Sequence, residues 1–269
     1  MKKSKLFMIV ASLLVLSLSL VACGGEKTDN KETAKEDVKQ EETLLVGFDQ
    51  SFPPMGFKGE DGEFTGFDLE VAKEVADKLG MEMKPVPIDW GAKDAELDTG
   101  NINCIWNGFT KTGREDKYTF SKSYMPNRQV IVVKEDSDIK DLNEVEGKIL
   151  ELQTESTADN ALKAKEGFAE KLKDVVRVPE NMTALNDLEQ GSCDAVLMDE
   201  VVAKYNIAKG KKLRVLEEPL SDEEFAVGFK LGNEELRDKV DKALMELAEE
   251  GKLKEISEKW FQEDITTLK

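Results

Sequence analysis

The sequence predicts an α/β fold built as two similar lobes. Three observations carry that expectation. Apolar, strand-like runs alternate with amphipathic helical stretches along most of the chain, the rhythm of α/β architecture with a largely parallel sheet. A polar stretch at 134–141 interrupts the rhythm, which then starts afresh. Residues 95–107 (AELDTGNINCIWN) also resemble residues 186–199 (NDLEQGSCDAVLMD): a helix end, a glycine and a short polar step lead into a buried strand that finishes in a polar side chain.

Residues 44–48 (LLVGF) form the first apolar run, short enough for a strand. A helix follows over 68–79, with Leu69, Ala72, Val75, Ala76 and Leu79 on one face, Asp68 as N-cap and Gly80 as its stop. Next come a strand at 83–88, a short helix at 94–98 ending at Gly100, and strands at 102–106 and 129–133. The second run opens with a strand at 148–152, continues with helices at 157–165 and 183–189, and reaches a strand at 195–198. Residues 225–229 (FAVGF) read as one more strand. Helices at 234–249 and 253–261 close the chain, the first with Leu236, Val240, Ala243, Leu244 and Leu247 on one face. This order predicts a discontinuous first lobe (44–133 and 225–269), a second lobe (134–224) and a ligand cleft between them. Ligands in open α/β sheets bind beyond the carboxyl ends of the strands, so the polar residues just after each strand are the candidates.

Composition narrows the chemistry. Of 269 residues, 40% are hydrophobic and 35% charged, too few apolar residues for many membrane spans and too many for a disordered chain. The 56 acidic residues outnumber 38 basic ones and give a net charge of −18, the wrong field for tracking nucleic-acid phosphates. There is no histidine, and Cys23, Cys104 and Cys193 are scattered, which excludes His-based acid–base catalysis, a Ser–His–Asp triad and His or Cys zinc sites. No cofactor and no metal are expected.

The amino-terminal region has a different character. Three lysines in residues 1–5 precede an apolar run at 6–22, slightly short for a membrane span. It ends in Leu20, Val21, Ala22 and Cys23, and resembles a bacterial lipoprotein signal, cleaved before a lipidated cysteine. Two acyl chains there would hold the protein on the outer face of a membrane without spanning it. Residues 24–42 are almost all polar and are expected to be a solvated tether, with Cys23 and the tether together filling 23–43.

The body carries the motifs VGFDQSFPPMGF (46–57), GFDLEVAKEVADKLG (66–80), NGFTKTGRE (107–115), FSKSY (120–124), DAVLMDE (194–200) and a closing KWF (259–261). In this order and spacing the chain resembles the polar amino-acid branch of the extracellular solute-binding proteins that serve ABC importers, family 3, from about 44 to 263. The resemblance implies a hinged, two-lobed periplasmic-binding-protein-like fold of type II.

A free amino acid needs a cation for its carboxylate, an anion for its ammonium and a shaped side-chain pocket. Arg114 offers the planar bidentate fork that suits a carboxylate. Thr110 and the backbone around Gly108 can add donors, and the spacing from Thr110 to Arg114 is one residue shorter than the family pattern, so the loop must close more tightly. Ser156 and Thr157 precede a helix, with Asp159 completing an S-x-x-D box; that helix start offers free N–H groups and a positive dipole end to the same carboxylate, or Ser156 simply caps it. Gln153 opens the same segment, and Glu155 stands where the family has glycine, expected either to point outward or to help select the ligand side chain. Asp199 ends a buried strand and matches the family's ammonium-binding aspartate; a carboxylate there is costly unless paired. Asp49 follows LLVGF in the same manner, as a second polar contact. Phe52 and Trp90 are candidate walls, Trp106 fits core packing better, and Asn107 is placed to hydrogen-bond a ligand. Cys104 and Cys193 fall in different lobes and read as buried thiols.

The leading expectation is a monomeric, membrane-tethered receptor of an ABC importer, binding a polar amino acid and working with a permease, with glutamine, cystine and basic amino acids all open. Two rivals stand beside it: a surface sensor serving no transporter, and an enzyme such as a dehydratase or cell-wall lytic enzyme on the same fold. Asp49 and Asp199 are better explained as ammonium partners than as an acid–base pair.

Overall fold

The structure, a computed structural model, describes residues 43–269. Cys23, the signal segment and the tether up to residue 42 lie outside the described residues.

The chain begins with β1 (Thr43–Phe48), the small hairpin strands β2 (Ser51–Phe52), β3 (Gly56–Lys58) and β4 (Phe64–Thr65), and α1 (Phe67–Leu79). It continues through β5 (Glu82–Pro87), α2 (Lys93–Thr99), β6 (Cys104–Ile105) and β7 (Tyr118–Phe120). Then come β8 (Met125–Lys134), β9 (Ile149–Gln153), α3 (Thr157–Ala164), β10 (Asp174–Val178), α4 (Asn181–Gln190), β11 (Ala195–Asp199), α5 (Glu200–Ala208), β12 (Leu213–Val215) and β13 (Ser221–Phe225). The chain returns through β14 (Gly228–Lys230), α6 (Glu234–Glu249) and α7 (Lys252–Phe261).

Two main sheets result. The first runs β5-β1-β6-β14-β7 and the second β10-β9-β11-β8-β12, with β13 also paired to β8. Both are mixed rather than largely parallel: β1 is parallel to β5 and β6, whereas β14 is antiparallel to both β6 and β7. In the second sheet β9 is parallel to β10 and β11, and β8 is antiparallel to β11, β12 and β13. The antiparallel strands are those that enter or leave a lobe, which βα alternation does not register.

Each sheet is covered on both faces. Along β8, Val130 and Val132 join one apolar cluster while Ile131 and Val133 join another, and along β11 Val196 and Met198 part from Ala195 and Leu197 in the same way. That is why both strands read as unbroken apolar runs rather than alternating ones. Helix α1 buries Leu69, Ala72, Val75 and Ala76, and α6 buries Val240, Ala243, Leu244 and Leu247, the faces their 3.6-residue periods predict.

Two expectations need correction. The strand at 129–133, assigned to the first lobe, is the middle of β8 and hydrogen-bonds wholly within the second sheet. FAVGF is not one strand: Phe225 ends β13 in the second sheet and Gly228 begins β14 in the first. The chain therefore crosses between sheets at 121–124 and at 226–227. The crossings run side by side, with Ser121 N–H donating to the Val227 carbonyl at 2.9 Å and Tyr124 N–H to the Phe225 carbonyl at 3.0 Å. Cys104 and Cys193 are buried and unpaired, and burial raises both thiols, Cys193 to about 12.

Candidate ligand-binding site

A tight cavity lies between the two sheets. It is lined by Asp49, Phe52, Trp90, Asn107, Gly108 and Arg114 from the first lobe and by Gln153, Ser156, Thr157 and Asp199 from the second. Of the residues singled out from sequence for this site, only Thr110 stands back from the lining. Trp106 is fully buried in the core, its ring centroid 6.4 Å from that of Tyr124.

The lining residues are delivered by strand ends. Asp49 directly follows β1, Asn107 comes two residues after β6, and Gln153 and Asp199 are the last residues of β9 and β11. Arg114 sits in the loop after β6, 6% exposed; its guanidinium carbon is 4.7 Å from the Phe109 ring centroid, and Nη1 donates to the Thr110 carbonyl at 3.3 Å. Among the described residues no carboxylate forms an ion pair with it. Burial pulls its pKa down, partly offset by the Tyr118, Glu223, Asp199 and Asp94 charges.

Asp199 is likewise buried without a cationic partner among the described residues. It accepts from Asn127 Nδ2 at 2.7 Å and Gln129 Nε2 at 2.8 Å. Burial first, then the neighbouring Glu223 charge, raises its pKa. Asp49 accepts from Ser51 N–H at 2.8 Å and from Gln153 Nε2 at 2.9 Å, a hydrogen bond that joins the lobes, and burial raises it too. Gln153 also donates to the Pro179 carbonyl and accepts from Asn181, each at 2.9 Å, so both of its N–H groups are engaged.

At the start of α3, Ser156 Oγ donates to the Gln153 carbonyl at 2.7 Å and accepts from Asp159 N–H at 3.4 Å, so Ser156 caps the helix as well as facing the cavity. Asp159 does not complete a reciprocal box; its carboxylate binds Lys163 at 2.7 Å and Arg177 at 2.7 Å. Thr110 donates to Glu223 Oε2 at 2.9 Å and lies 3.3 Å from the Thr157 hydroxyl. Glu155 points outward, with its side chain 59% exposed, but its carboxylate reaches Lys93 Nζ in the other lobe at 3.6 Å. It does so from a left-handed φ of 56°, the backbone setting that glycine takes most easily.

The site depends on residues that sequence patterns did not single out. Glu223, Asn127 and Gln129 form the wall behind Asp199. Lys93 is buried beneath Trp90, its Nζ 5.3 Å from the ring centroid and donating to the Trp90 carbonyl at 3.3 Å. Asp68 is the largest departure. It is not the cap of α1, which is Gly66, but a fully buried residue of the first turn. Its carboxylate accepts from Gly108 N–H and from Tyr124 Oη at 2.8 Å, pinning the loop that carries Asn107 and Thr110. The Gly108 amide is therefore committed to Asp68 rather than open to a ligand.

Burial raises the Asp68 carboxyl from 3.8 to about 7, against the lowering effect of its Gly108 and Tyr124 hydrogen bonds. The folded state thus holds this proton more tightly than the unfolded one. The resulting stability is complete below about pH 4 and is lost as pH rises through 7. Asp68→Asn should flatten that part of the profile: urea unfolding at pH 5 and pH 8 should differ less in the variant than in the wild type. An unchanged difference would show that Asp68 does not titrate in this range.

The chain matches the family model described as bacterial extracellular solute-binding proteins, family 3, over residues 44–263. It is 33% identical over 257 residues to the L-cystine-binding protein TcyJ of Escherichia coli strain K12, covering 94% of this chain and 95% of that one. It is 32% identical over 269 residues to the L-cystine-binding protein TcyA of Bacillus subtilis, covering 96% and 98%. A crystal structure of an ABC uptake transporter substrate-binding protein from Streptococcus pneumoniae with bound histidine superposes with a TM-score of 0.81 at 38% identity, covering 84% of this chain and 94% of that one. With two lobes around a cavity that pairs a buried guanidinium with a buried carboxylate, and with this match along its folded length, the chain belongs to the bacterial extracellular solute-binding proteins of family 3.

Proposed function

We propose that the protein is the amino-acid receptor of an ABC importer, held at the outer face of the membrane by lipid on Cys23. It binds; it performs no chemistry. The carrying observation is the pair of buried ionisable groups without ion pairs, Arg114 from one lobe and Asp199 from the other, lining the same cavity between the lobes. A zwitterion supplies the counter-charge to each. Arg114 takes the carboxylate, supported by the start of α3 at Ser156 and Thr157. Asp199 takes the ammonium, with Asp49 as a further acceptor. Phe52 and Trp90 flank the ligand stem, and Asn107 and Gln153 contribute polar edges.

Because the contacts come from both lobes, the ligand stabilises the closed arrangement, and closure is a population shift about the paired crossings at 121–124 and 226–227. A permease then reads the closed form. The relatives' names put cystine, histidine, glutamine and arginine first among candidate ligands.

Thermal-shift screening of the twenty amino acids and L-cystine tests this directly. A true ligand raises Tm in proportion to the logarithm of its concentration above Kd. No shift from any of them at millimolar concentration would overturn the reading.

A further inference from the structure

The wall behind Asp199 holds a second acid. Asn127 Nδ2 donates to Asp199 Oδ1 at 2.7 Å and to Glu223 Oε2 at 3.2 Å, and Gln129 Nε2 donates to the same two oxygens at 2.8 and 3.0 Å. Two side-chain amides on β8 thus bridge carboxylates on β11 and β13. Thr110 adds a donor to Glu223, and Ser221 Oγ donates to Glu223 Oε1 at 3.3 Å. The carbonyl oxygens of Asn127 and Gln129 are buried without a partner among the described residues, so the cluster is rich in acceptors.

Among the described residues no ion pair is made to either acid. Arg114 is the cation that faces them, from the first lobe. On β8, Arg128 is turned to Glu200, which also holds Lys204 of α5. On α3, Asp159 is matched by Lys163 and Arg177. On β13, Asp222 and Glu224 are exposed, and Glu224 accepts from Ser123.

We infer that Asp199 holds a proton in the ligand-free protein, kept there by its burial and by the Glu223 carboxylate behind it, and that an arriving ligand ammonium expels that proton to solvent. A buried carboxyl beside a second acid, with no ion pair to offset it, favours its neutral form. An ammonium supplies the missing charge: the carboxyl O–H breaks, its proton leaves to water, and N–H donors take its place. Glu223 is then a positioning residue, tuning Asp199 without touching the ligand. The raised pKa of Asp199 agrees with this geometry. The expulsion rests on the proposed role of Asp199 as ammonium acceptor; the held proton does not.

The consequence is linkage. Binding that releases one proton tightens by up to about tenfold per pH unit while Asp199 of the free protein is protonated. Carbon-13 carboxyl titration of the ligand-free protein from pH 4 to 9 tests the held proton. Asp199 should titrate above the ordinary carboxylate range. Glu223→Gln should move the Asp199 step to lower pH, and Glu223→Asp, which keeps the charge, should restore it. An Asp199 curve unmoved by Glu223→Gln overturns the proposal; if that variant does not fold, the wild-type curve decides, and an Asp199 step in the ordinary carboxylate range overturns it.

Calorimetry at pH 6 with L-cystine, L-histidine, L-glutamine and L-arginine, in buffers of different ionisation heat, tests the expulsion. Wild type should release close to one proton per ligand bound, and Glu223→Gln far less, with a flatter dependence of affinity on pH. Tight binding with no proton release overturns the expulsion. Absence of binding by all four, with the Asp199 titration as expected, would instead count against the receptor reading.

Discussion

Arg114→Ala should weaken amino-acid binding by about 2–5 kcal/mol, the loss found when one partner of a desolvated charge pair is removed. That is roughly 30-fold to several-thousand-fold in Kd. The guanidinium is buried, stacked on Phe109 and unmatched by any carboxylate among the described residues, so its charge is available to a ligand. Arg114→Lys should also lose affinity, because an ammonium cannot reproduce the planar fork. Calorimetry with the amino acid, its decarboxylated amine and its deaminated acid provides the check. Wild type should discriminate against both analogues, whereas Arg114→Ala should no longer distinguish the amine from the amino acid. Binding by Arg114→Ala within threefold of wild type would mean that the carboxylate docks elsewhere.

The largest effect on stability is expected at Gly66. Its φ of 141° and ψ of 165° fall in a region essentially reserved for glycine, where another residue costs about 1–3 kcal/mol. A Cβ there would also lie 2.3 Å from the Met55 carbonyl oxygen and 2.9 Å from Gly56 Cα, backbone atoms that cannot rotate away. Overpacking of that kind adds about 1–3 kcal/mol. Gly66→Ala should therefore lose about 2–6 kcal/mol in urea unfolding. Gly80→Ala is the control: its φ is also positive, at 66°, but its Cβ would meet nothing within 4 Å, so about 1–2 kcal/mol is expected. Equal losses at the two sites would rule out the close approach to Met55. Because Gly66 sets the start of α1, and Asp68 two residues later holds the Gly108 loop, a shifted helix start should also degrade the site.

Much of the site was legible because of where α/β sheets place their polar residues. Asp49, Asn107, Gln153 and Asp199 all stand at or just past strand ends, where apolar runs stop, and a run of hydrophobic residues ending in a carboxylate is visible in a single sequence. The wall behind Asp199 was hidden for the opposite reason. Asn127 and Gln129 come from the entering half of β8, whose polar residues made the strand appear to start at 129. Glu223 lies in SDEEF, which reads as a charged surface loop; pairing with β8 turns Glu223 and Phe225 inward and Asp222 and Glu224 outward. Asp68 occupies a position where a cap is locally sensible, and only its tertiary partners Gly108 and Tyr124 reveal another role. The division of the lobes went astray at the same place, since a strand that leaves one sheet and joins another carries no local mark of its destination.

The position of β14 bears on how the protein is made. It fills the gap between β6 and β7, yet it is synthesised after every strand of the second sheet. A chain delivered amino-terminus first must keep that gap open for more than a hundred residues, with backbone donors and acceptors of β6 and β7 exposed to mispairing. The lobe begun first is thus the last to be finished. A chain that stops before residue 228 therefore leaves β6 and β7 without the strand that joins them, however complete its second sheet is.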